Sequence, residues 1–362
     1  MSREQLFIWP FTVGVVVTIL VTPLVIAIFK RLNLVVDPKK QAHPAHLHKI
    51  PVPKGGGIPI FLAVLIPALI FLKMDKHLAM ILLGAFFCLV VGVIDDIRSI
   101  DPKIRLLANF LAALIVVSAG IGIAYVTNPL GGVIDLSNPK IGFELFGSHH
   151  EIWVLADIFA LMWIPFLMNA INFSSGLDGQ VSGVVAIAAG VIGALSFGFS
   201  SDITQWPVAV LAFALAGGFA GFALFHFYPQ KIMPGYSGTS LAGYLLAVLA
   251  ILATAKVGTA LVVLCLPTID ALYSIVRRIS TGKMPWWGDR GHLHHKLLDM
   301  GWGKRRVALF YWLITGALGI VALNTNAEMK LFAIVSLSLL IAGFFLWIYY
   351  WPWSKRSDHD SG

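Results

Sequence analysis

Long apolar segments recur along this chain of 362 residues and constrain its fold more than any other feature. Segments of roughly 17–25 apolar residues are long enough to cross a bilayer as helices, and because backbone groups in lipid must be paired within each segment, they predict a helical bundle. We count eleven of them, at 8–29, 57–73, 78–94, 104–125, 152–171, 181–198, 207–226, 240–255, 257–276, 306–323 and 331–350. Only 12% of the residues are charged, so the sequence predicts one polytopic all-α integral membrane domain over 1–362.

The Lys and Arg residues predict the orientation of the chain. If the N-terminus lies outside and the spans alternate, twenty of the 26 Lys and Arg residues fall in inner loops or at their edges. Membrane proteins concentrate these residues on the cytoplasmic side. We therefore expect a multi-pass protein of the cytoplasmic membrane with its N-terminus outside and its C-terminus in the cytoplasm. The run 8–29 is too long for the apolar region of a cleaved signal, which predicts a retained span.

Two further features predict structure without chemistry. Cys88 and Cys265 lie in apolar segments far apart in the sequence, which predicts buried free thiols. The outer loop 126–151 alternates apolar and polar residues around Ser137-Asn138-Pro139, which predicts a small hairpin on the membrane surface.

The polar, glycine-rich and histidine-rich motifs all fall in the inner loops 30–56, 95–104, 169–181, 227–240 and 277–306. Asp95 and Asp96 end the third span, where ionised carboxylates are costly and usually functional. Neighbouring helix positions point about 100° apart, so one carboxylate could bind a cation while the other handles a proton or a second cation. The alternative is a helix end in water, or ion pairs to Arg98, Lys103 and Arg105.

Glycine-rich turns open two of the spans. Lys54 precedes Gly55-Gly56-Gly57, and "GYSGTS" opens the eighth span. Free backbone N–H groups at such helix starts favour an anion such as phosphate. The second turn lacks the lysine and spacing of a P-loop, so a nucleoside triphosphatase is not indicated.

Two other loops carry candidate ligand-binding side chains. The amides, hydroxyls and Asp178 of "NAINFSSGLDG" suit a turn that binds a polar ligand. In "DRGHLHHKLL", His292 and His295 are three residues apart and would share a helical face, with His294 beside them. No cysteine or second ligand cluster supports zinc, and the surrounding Arg and Lys residues favour an anion pocket instead.

These motifs, in this order, resemble those of the polyprenyl-phosphate N-acetylhexosamine-1-phosphate transferases. The resemblance runs from about Asp37 to Gly303 and rests on "PKGGG", "DD" followed by "PKIRLL", "NAINFSSGLDG", "GYSGTS" and "DRGHLHHKLL". The last motif is similar to the branch that primes O-antigen, enterobacterial common antigen and teichoic acid. The peptidoglycan branch carries a different histidine motif.

The resemblance implies a reaction and its partners. N-acetylhexosamine-1-phosphate, with GlcNAc-1-phosphate as first choice, would pass from a UDP-sugar to undecaprenyl phosphate and release UMP, the first membrane step of cell-envelope polysaccharide synthesis. The cofactor would be Mg2+, with Mn2+ as an alternative. The partners would be a UDP-N-acetylhexosamine, undecaprenyl phosphate and the lipid bilayer, without nucleic acid and with a homodimer left open. The active site would face the cytoplasm.

The resemblance also implies residue roles. Asp95 and Asp96 would be catalytic, and Asn172 together with Asp95 would hold the metal. The implied substrate-binding residues are Lys54, Asn169, Asp178, Gly235, Ser237, Arg278, Asp289, Arg290, His292, His294 and His295.

Two positions depart from the family pattern. Tyr236 stands where the family usually has the Asp that binds magnesium, and Ser175 stands where many bacterial members have Asp. Either Asp95, Asp96, Asp178 or Asp270 completes the metal site, or the substrate differs, or the chain is a non-catalytic homologue that binds lipid phosphate or nucleotide. A lipid transporter is a third interpretation, disfavoured because Asp157 and Asp270, the only carboxylates within the predicted spans, lie toward their ends.

Overall fold

The structure is a computed structural model that describes residues 2–36, 51–128, 132–145, 148–199, 201–253, 256–284 and 291–350. Helices make up most of this part of the chain. They are α1 (Arg3–Leu6), α2 (Ile8–Arg31), α3 (Gly57–Phe71), α4 (Lys76–Arg98), α5 (Pro102–Val117), α6 (Val154–Phe173), α7 (Gln180–Gly198), α8 (Trp206–His226), α9 (Gly235–Leu252), α10 (Lys256–Val263), α11 (Cys265–Ser280), α12 (Leu293–Asp299), α13 (Lys304–Asn324) and α14 (Ala327–Tyr350). A short 3-10 helix, Ile203–Gln205, precedes α8.

The predicted spans coincide with helices. Among the described residues, seven helices are long and apolar enough to cross a membrane. The predicted span 257–276 is instead a pair of helices, Val257–Val263 and Cys265–Ser280, bent by 85° at the break, and it makes an eighth span if the pair counts as one. The helical membrane fold is confirmed, as are the buried free thiols of Cys88 and Cys265. The count of eleven spans and the orientation of the termini stay predictions.

The described strands form three short antiparallel hairpins. They pair β1 (Val35–Val36) with β2 (Val52–Pro53), β3 (Tyr125–Thr127) with β4 (Val133–Asp135), and β5 (Lys140–Leu145) with β6 (Ser148–Trp153). The predicted hairpin structure of the outer loop is therefore confirmed, but the loop holds two hairpins, with Ser137-Asn138-Pro139 between them. The backbone N–H of Ser137 donates to the Asp135 carboxylate at 2.7 Å, a turn that ends β4 and leads into β5.

Helix α9 lies at the centre of the bundle and is buried along almost its whole length. It packs closely on α4 and α6 at two glycines. A Cβ at Gly92 would overlap the backbone of Ser237, and a Cβ at Gly243 would overlap the backbone of Met168. Small residues at such crossings let helix backbones approach closely in membranes. The start of α9 is thereby fixed beside the end of α4, where the two neighbouring aspartates lie.

We expect Gly92→Ala to lower the thermal unfolding midpoint of the purified protein in detergent. The added Cβ would push α4 away from α9, and overpacking of this kind typically costs about 1–3 kcal/mol. Gly316→Ala in α13 is the matched control, because a Cβ there meets no atom within 4 Å and alanine favours a helix. Equal midpoints for the two variants would contradict the close contact between α4 and α9.

Candidate active site

A cavity of about 210 Å³ lies where several helices begin or end. Its wall is formed by the ends of α4, α6 and α8, by the starts of α5 and α9, and by the segment before α3. The predicted site residues on this wall are Lys54, Asp95, Asp96, Asn172, Gly235 and Tyr236. The fold therefore brings together motifs from loops that are far apart in the sequence.

Asp96 binds the first turn of α9. Its carboxylate accepts hydrogen bonds from the backbone N–H groups of Tyr236 at 2.7 Å and Ser237 at 3.3 Å, and from the Ser237 hydroxyl at 2.6 Å. A helix start carries unpaired N–H donors and the positive end of the helix dipole, so it stabilises an anion. The sequence predicts an anion at this turn, and in the structure that anion is a carboxylate of the chain itself.

Asp95 points in another direction, as expected for neighbouring residues on a helix. Its Oδ1 accepts the backbone N–H of Ile100 at 2.8 Å and lies 2.6 Å from Nε of Arg105. Asp95 is buried, whereas the Arg105 side chain is 31% exposed. The ion pair with Arg105 that the sequence left open is confirmed. Both carboxylates nevertheless remain on the cavity wall.

Tyr236 lines the cavity but directs its hydroxyl toward α5. The hydroxyl donates to Oδ1 of Asn109 at 2.8 Å, and the guanidinium of Arg105 lies over the ring, 5.2 Å from its centroid. A neutral phenol that donates its proton to an amide has little to offer a divalent cation, which prefers carboxylate and carbonyl oxygens.

The three glycines before α3 serve close packing. A Cβ at any position from 55 to 57 would overlap a neighbouring residue. The N–H of Gly56 donates to the carbonyl of Met233, and that of Gly57 donates to Oγ of Ser237, both at 3.2 Å. For Gly56 and Gly57 the prediction of a phosphate contact is wrong, because other parts of the chain already accept their hydrogen bonds. For the N–H of Gly55 it stays a prediction.

The turn between α6 and α7 contributes Asn172 to the cavity. Its Nδ2 donates to Oγ1 of Thr239 at 2.8 Å, which ties the end of α6 to α9. Asn169 instead donates to a carbonyl of its own helix at 2.7 Å. Asp178 lies 3.2 Å from Nζ of Lys304 and joins the turn to the start of α13. Of the polar residues predicted here, Asn172 and Ser175 line the cavity, and the Ser175 hydroxyl donates to the carbonyl of Asn172 at 2.6 Å.

Asp270 holds the start of the histidine motif. Its Oδ2 lies 2.9 Å from Nδ1 of His292, and its Oδ1 accepts the backbone N–H of Leu293 at 2.9 Å. The buried guanidinium of Arg278 lies 3.2 Å from Nε2 of the same histidine. This explains why an apolar helix carries an aspartate: it caps α12 and positions His292. The carboxylate is engaged there and does not line the cavity described above.

His294 is buried between the cavity and the other histidines. Helix α12 begins after His292, so the prediction that His292 and His295 share a helical face is wrong. The ring of His292 is instead stacked on that of His294, with 5.7 Å between the ring centroids. Within the described residues neither ring nitrogen of His294 has a hydrogen-bond partner, and its ring abuts Gly176 of the cavity wall. Burial, together with the two neighbouring histidines, holds the pKa of His294 well below its usual value.

Two cavity residues, His226 and Gln230, carry too little signal in the sequence to be predicted individually. His226 ends α8, with Nδ1 2.6 Å from Oγ of Ser182, and Gln230 follows in the connection to α9. Both lie shortly before the "GYSGTS" turn, and this nearness to a predicted ligand-binding turn is the feature of the sequence that could have identified them.

Some predicted residues cannot be placed. Asp289 and Arg290 lie outside the described residues, as does the basic segment 37–50 with its three histidines. The substrate-binding roles that the resemblance implies for Asp289 and Arg290 stay predictions.

The described side chains fit a divalent metal ion poorly. Magnesium takes a near-octahedral shell of oxygens, usually with one or two carboxylates. Asp95 and Asp96 line the cavity, but protein donors already bind both. Among the described residues, no group of three His, Cys, Asp or Glu side chains is placed to hold a metal. The expectation of Mg2+ or Mn2+ stays a prediction of the resemblance.

Comparisons with known proteins agree on one class of enzyme. The profile of Glycosyl transferase family 4 matches residues 78–254, which run from α4 to the end of α9. The chain is 30% identical to the decaprenyl-phosphate N-acetylglucosaminephosphotransferase of Mycobacterium leprae over 341 residues, covering 86% of this chain and 81% of the relative. It is 26% identical to a probable undecaprenyl-phosphate N-acetylglucosaminyl 1-phosphate transferase of Bacillus subtilis, covering 84% and 80%. It is also 25% identical to the phospho-N-acetylmuramoyl-pentapeptide-transferase of Bacillus velezensis, covering 88% and 98%.

We expect the protein to become less stable as the pH falls below about 6.5, the ordinary histidine pKa. His294 stays neutral in the folded state, whereas an unfolded histidine takes up a proton, so the unfolded state binds more protons in this range and is favoured. The thermal unfolding midpoint in detergent would be followed from pH 7.5 to 5.5, and His294→Asn should flatten the decline. His77→Asn, at an exposed position, is the control. A decline as steep in the His294 variant as in the parent would contradict this assignment.

Proposed function

Because the chain belongs to glycosyl transferase family 4, we propose that it transfers N-acetylhexosamine-1-phosphate, with GlcNAc-1-phosphate as first choice, from a UDP-sugar to undecaprenyl phosphate with release of UMP. The protein is a membrane enzyme that transfers a sugar phosphate. The names of the relatives from Mycobacterium leprae and Bacillus subtilis support the amino sugar and the polyprenyl phosphate. The specific donor and the release of UMP are our proposal.

The cavity between the helix ends is the main observation that supports this proposal. It joins the cations Lys54 and Arg105, two carboxylates and the amide of Asn172 at one end of the apolar bundle. A lipid phosphate can reach that level from the bilayer while a nucleotide arrives from water. The excess of Lys and Arg in the inner loops supports a cavity that faces the cytoplasm.

The proposed reaction exchanges one phosphoanhydride bond for another. An oxygen of the lipid phosphate attacks the phosphorus that carries the sugar, and the bond from this phosphorus to the oxygen shared with UMP breaks. UMP leaves with the bonding electron pair. The attacking phosphate is already ionised, so the protein contributes mainly positioning and neutralisation of charge. Lys54 and Arg105 supply positive charge at the cavity, and Asn172 orients a polar ligand.

The histidine side of the site suits the sugar diphosphate. The buried Arg278 is held by His292 and lies over the ring of Phe173, 5.1 Å from its centroid. His294 lies beside the cavity wall at Gly176. Imidazole and guanidinium groups donate to phosphate oxygens, so this buried group behind the cavity wall would support the diphosphate rather than line the cavity.

A second candidate function is a homologue that binds lipid phosphate or nucleotide without turnover. Tyr236 favours it, because this residue replaces the expected carboxylate and directs its hydroxyl away from the cavity toward Asn109. Turnover distinguishes the two candidates, since both predict binding.

The test is UMP release by the purified protein in detergent, with undecaprenyl phosphate and either UDP-GlcNAc or UDP-GalNAc. Reactions would run with Mg2+, with Mn2+ and with EDTA. Release of UMP that requires the lipid phosphate is the expected result. Tight binding of UDP without UMP from either donor would favour the non-catalytic homologue.

We expect Asn172→Ala to lower UMP release about tenfold or more, because a polar group on the cavity wall and its hydrogen bond to Thr239 are lost together. Asn324→Ala is the matched control, since this exposed amide donates to the carbonyl of Ile320 in its own helix and, among the residues that the structure describes, has no other hydrogen bond. Initial rates at saturating donor, with unfolding midpoints measured alongside, would check this. A similar rate in both variants would remove Asn172 from the site.

A further inference from the structure

The Tyr236 ring has a role that its hydroxyl does not explain. The guanidinium of Arg105 stacks over this ring at 5.2 Å, while Nε of Arg105 pairs with Asp95 at 2.6 Å. Stacking fixes the plane of a guanidinium, and the ion pair fixes its rotation within that plane. The hydrogen bond from Tyr236 to Asn109 holds the ring itself against α5.

Fixed in this way, Arg105 can present its two terminal amino groups to the cavity. The ion pair uses Nε, and the described residues provide no further ion pair or hydrogen bond to this side chain. The side chain is 31% exposed and lines the cavity. Two parallel N–H donors of a guanidinium match two oxygens of a phosphate. The geometry therefore suits bidentate binding of a phosphoryl group.

Lys54 adds a second positive charge on the same wall. It lies close enough to Asp96 for an electrostatic interaction, and the described residues offer it no hydrogen bond or ion pair. Asp96 is held by the start of α9, and Asp95 by Ile100 and Arg105. Of the four oxygens of these two carboxylates, the described residues leave Oδ2 of Asp95 as the one that a divalent ion could bind without competing with a protein donor. A phosphate can instead bind to the cations without breaking either contact.

We propose that Arg105, positioned by Tyr236 and Asp95, binds the transferring phosphates together with Lys54, so that this chain needs no divalent metal for the transfer proposed above. Tyr236 is then a positioning residue that supports a cation, rather than a defective metal ligand. These two side chains would make the phosphate contacts that the family resemblance assigns to magnesium. The chemical class of the ligand is a nucleoside diphosphate or a lipid phosphate, bound through its phosphoryl oxygens.

The test measures UDP binding to the full-length protein in detergent by titration calorimetry, in EDTA and in Mg2+, with UMP release followed in parallel. We expect the affinity for UDP to agree within about twofold between the two buffers. Arg105→Lys should weaken binding about tenfold or more in EDTA, because a lysine cannot bind bidentately or stack in the same way. Arg98→Lys, an exposed arginine at the end of α4, is the matched control.

The positioning role of Tyr236 has its own pair of variants. Tyr236→Leu should weaken UDP binding about tenfold, whereas Tyr236→Phe keeps the ring and should restore most of the affinity, to within about threefold of the parent. Unfolding midpoints would show that each variant folds. A purely structural role for the tyrosine would not separate the two variants in binding at equal stability.

The outcomes separate this inference from the transfer itself. Loss of both UDP binding and UMP release in EDTA, with recovery in Mg2+, would overturn the metal-free site and leave the transferase intact. Metal-independent binding that Arg105→Lys does not weaken would overturn it as well. Metal-independent binding that depends on Arg105, without UMP from any donor, would support the cation site and overturn the proposed transfer.

Discussion

The hydrogen bonds between Asp96 and the start of α9 are the contact on which the site depends. Two N–H groups and one hydroxyl converge on a single carboxylate at the edge of an apolar bundle. In apolar surroundings an unpaired carboxylate and the unpaired N–H groups at a helix start each raise the free energy of the folded state. Pairing them with each other removes both penalties. These hydrogen bonds fix the end of α4 against the start of α9. Asp95, Arg105 and Tyr236 take their positions relative to this contact.

The cavity wall balances its own charges before any ligand arrives. Asp95 pairs with Arg105, and Lys54 lies near Asp96. Ionised groups in low dielectric persist when each has a partner of opposite sign. An incoming phosphate therefore meets cations that are already oriented, which reduces the reorganisation that binding requires. Tyr236 belongs to this arrangement, because its ring supports the cation that the carboxylate holds from the other side.

Features that depend on neighbouring residues in the sequence were predicted, whereas contacts between residues far apart in the sequence were not. The spans follow from local hydropathy, and each was found as a helix or a bent pair. That neighbouring aspartates diverge also follows from local helix geometry, but the partner of Asp96 lies 140 residues away. The position of His292 depends on Asp270, 22 residues earlier, which contacts this imidazole and accepts the first N–H of α12. The sequence revealed a missing carboxylate at Tyr236, whereas the support it gives to Arg105 requires three-dimensional contacts.

The distance along the chain between Asp96 and its helix start has a consequence for biogenesis. A protein that enters the membrane from its N-terminus places α4 in the bilayer while the partners of Asp96, 140 and 141 residues later, are still unmade. Until then the carboxylate has to remain hydrated at the membrane surface, which keeps the end of α4 at the water boundary. The late arrival of α9 then exchanges water for backbone donors. This part of the site is therefore completed only after α9 has been inserted.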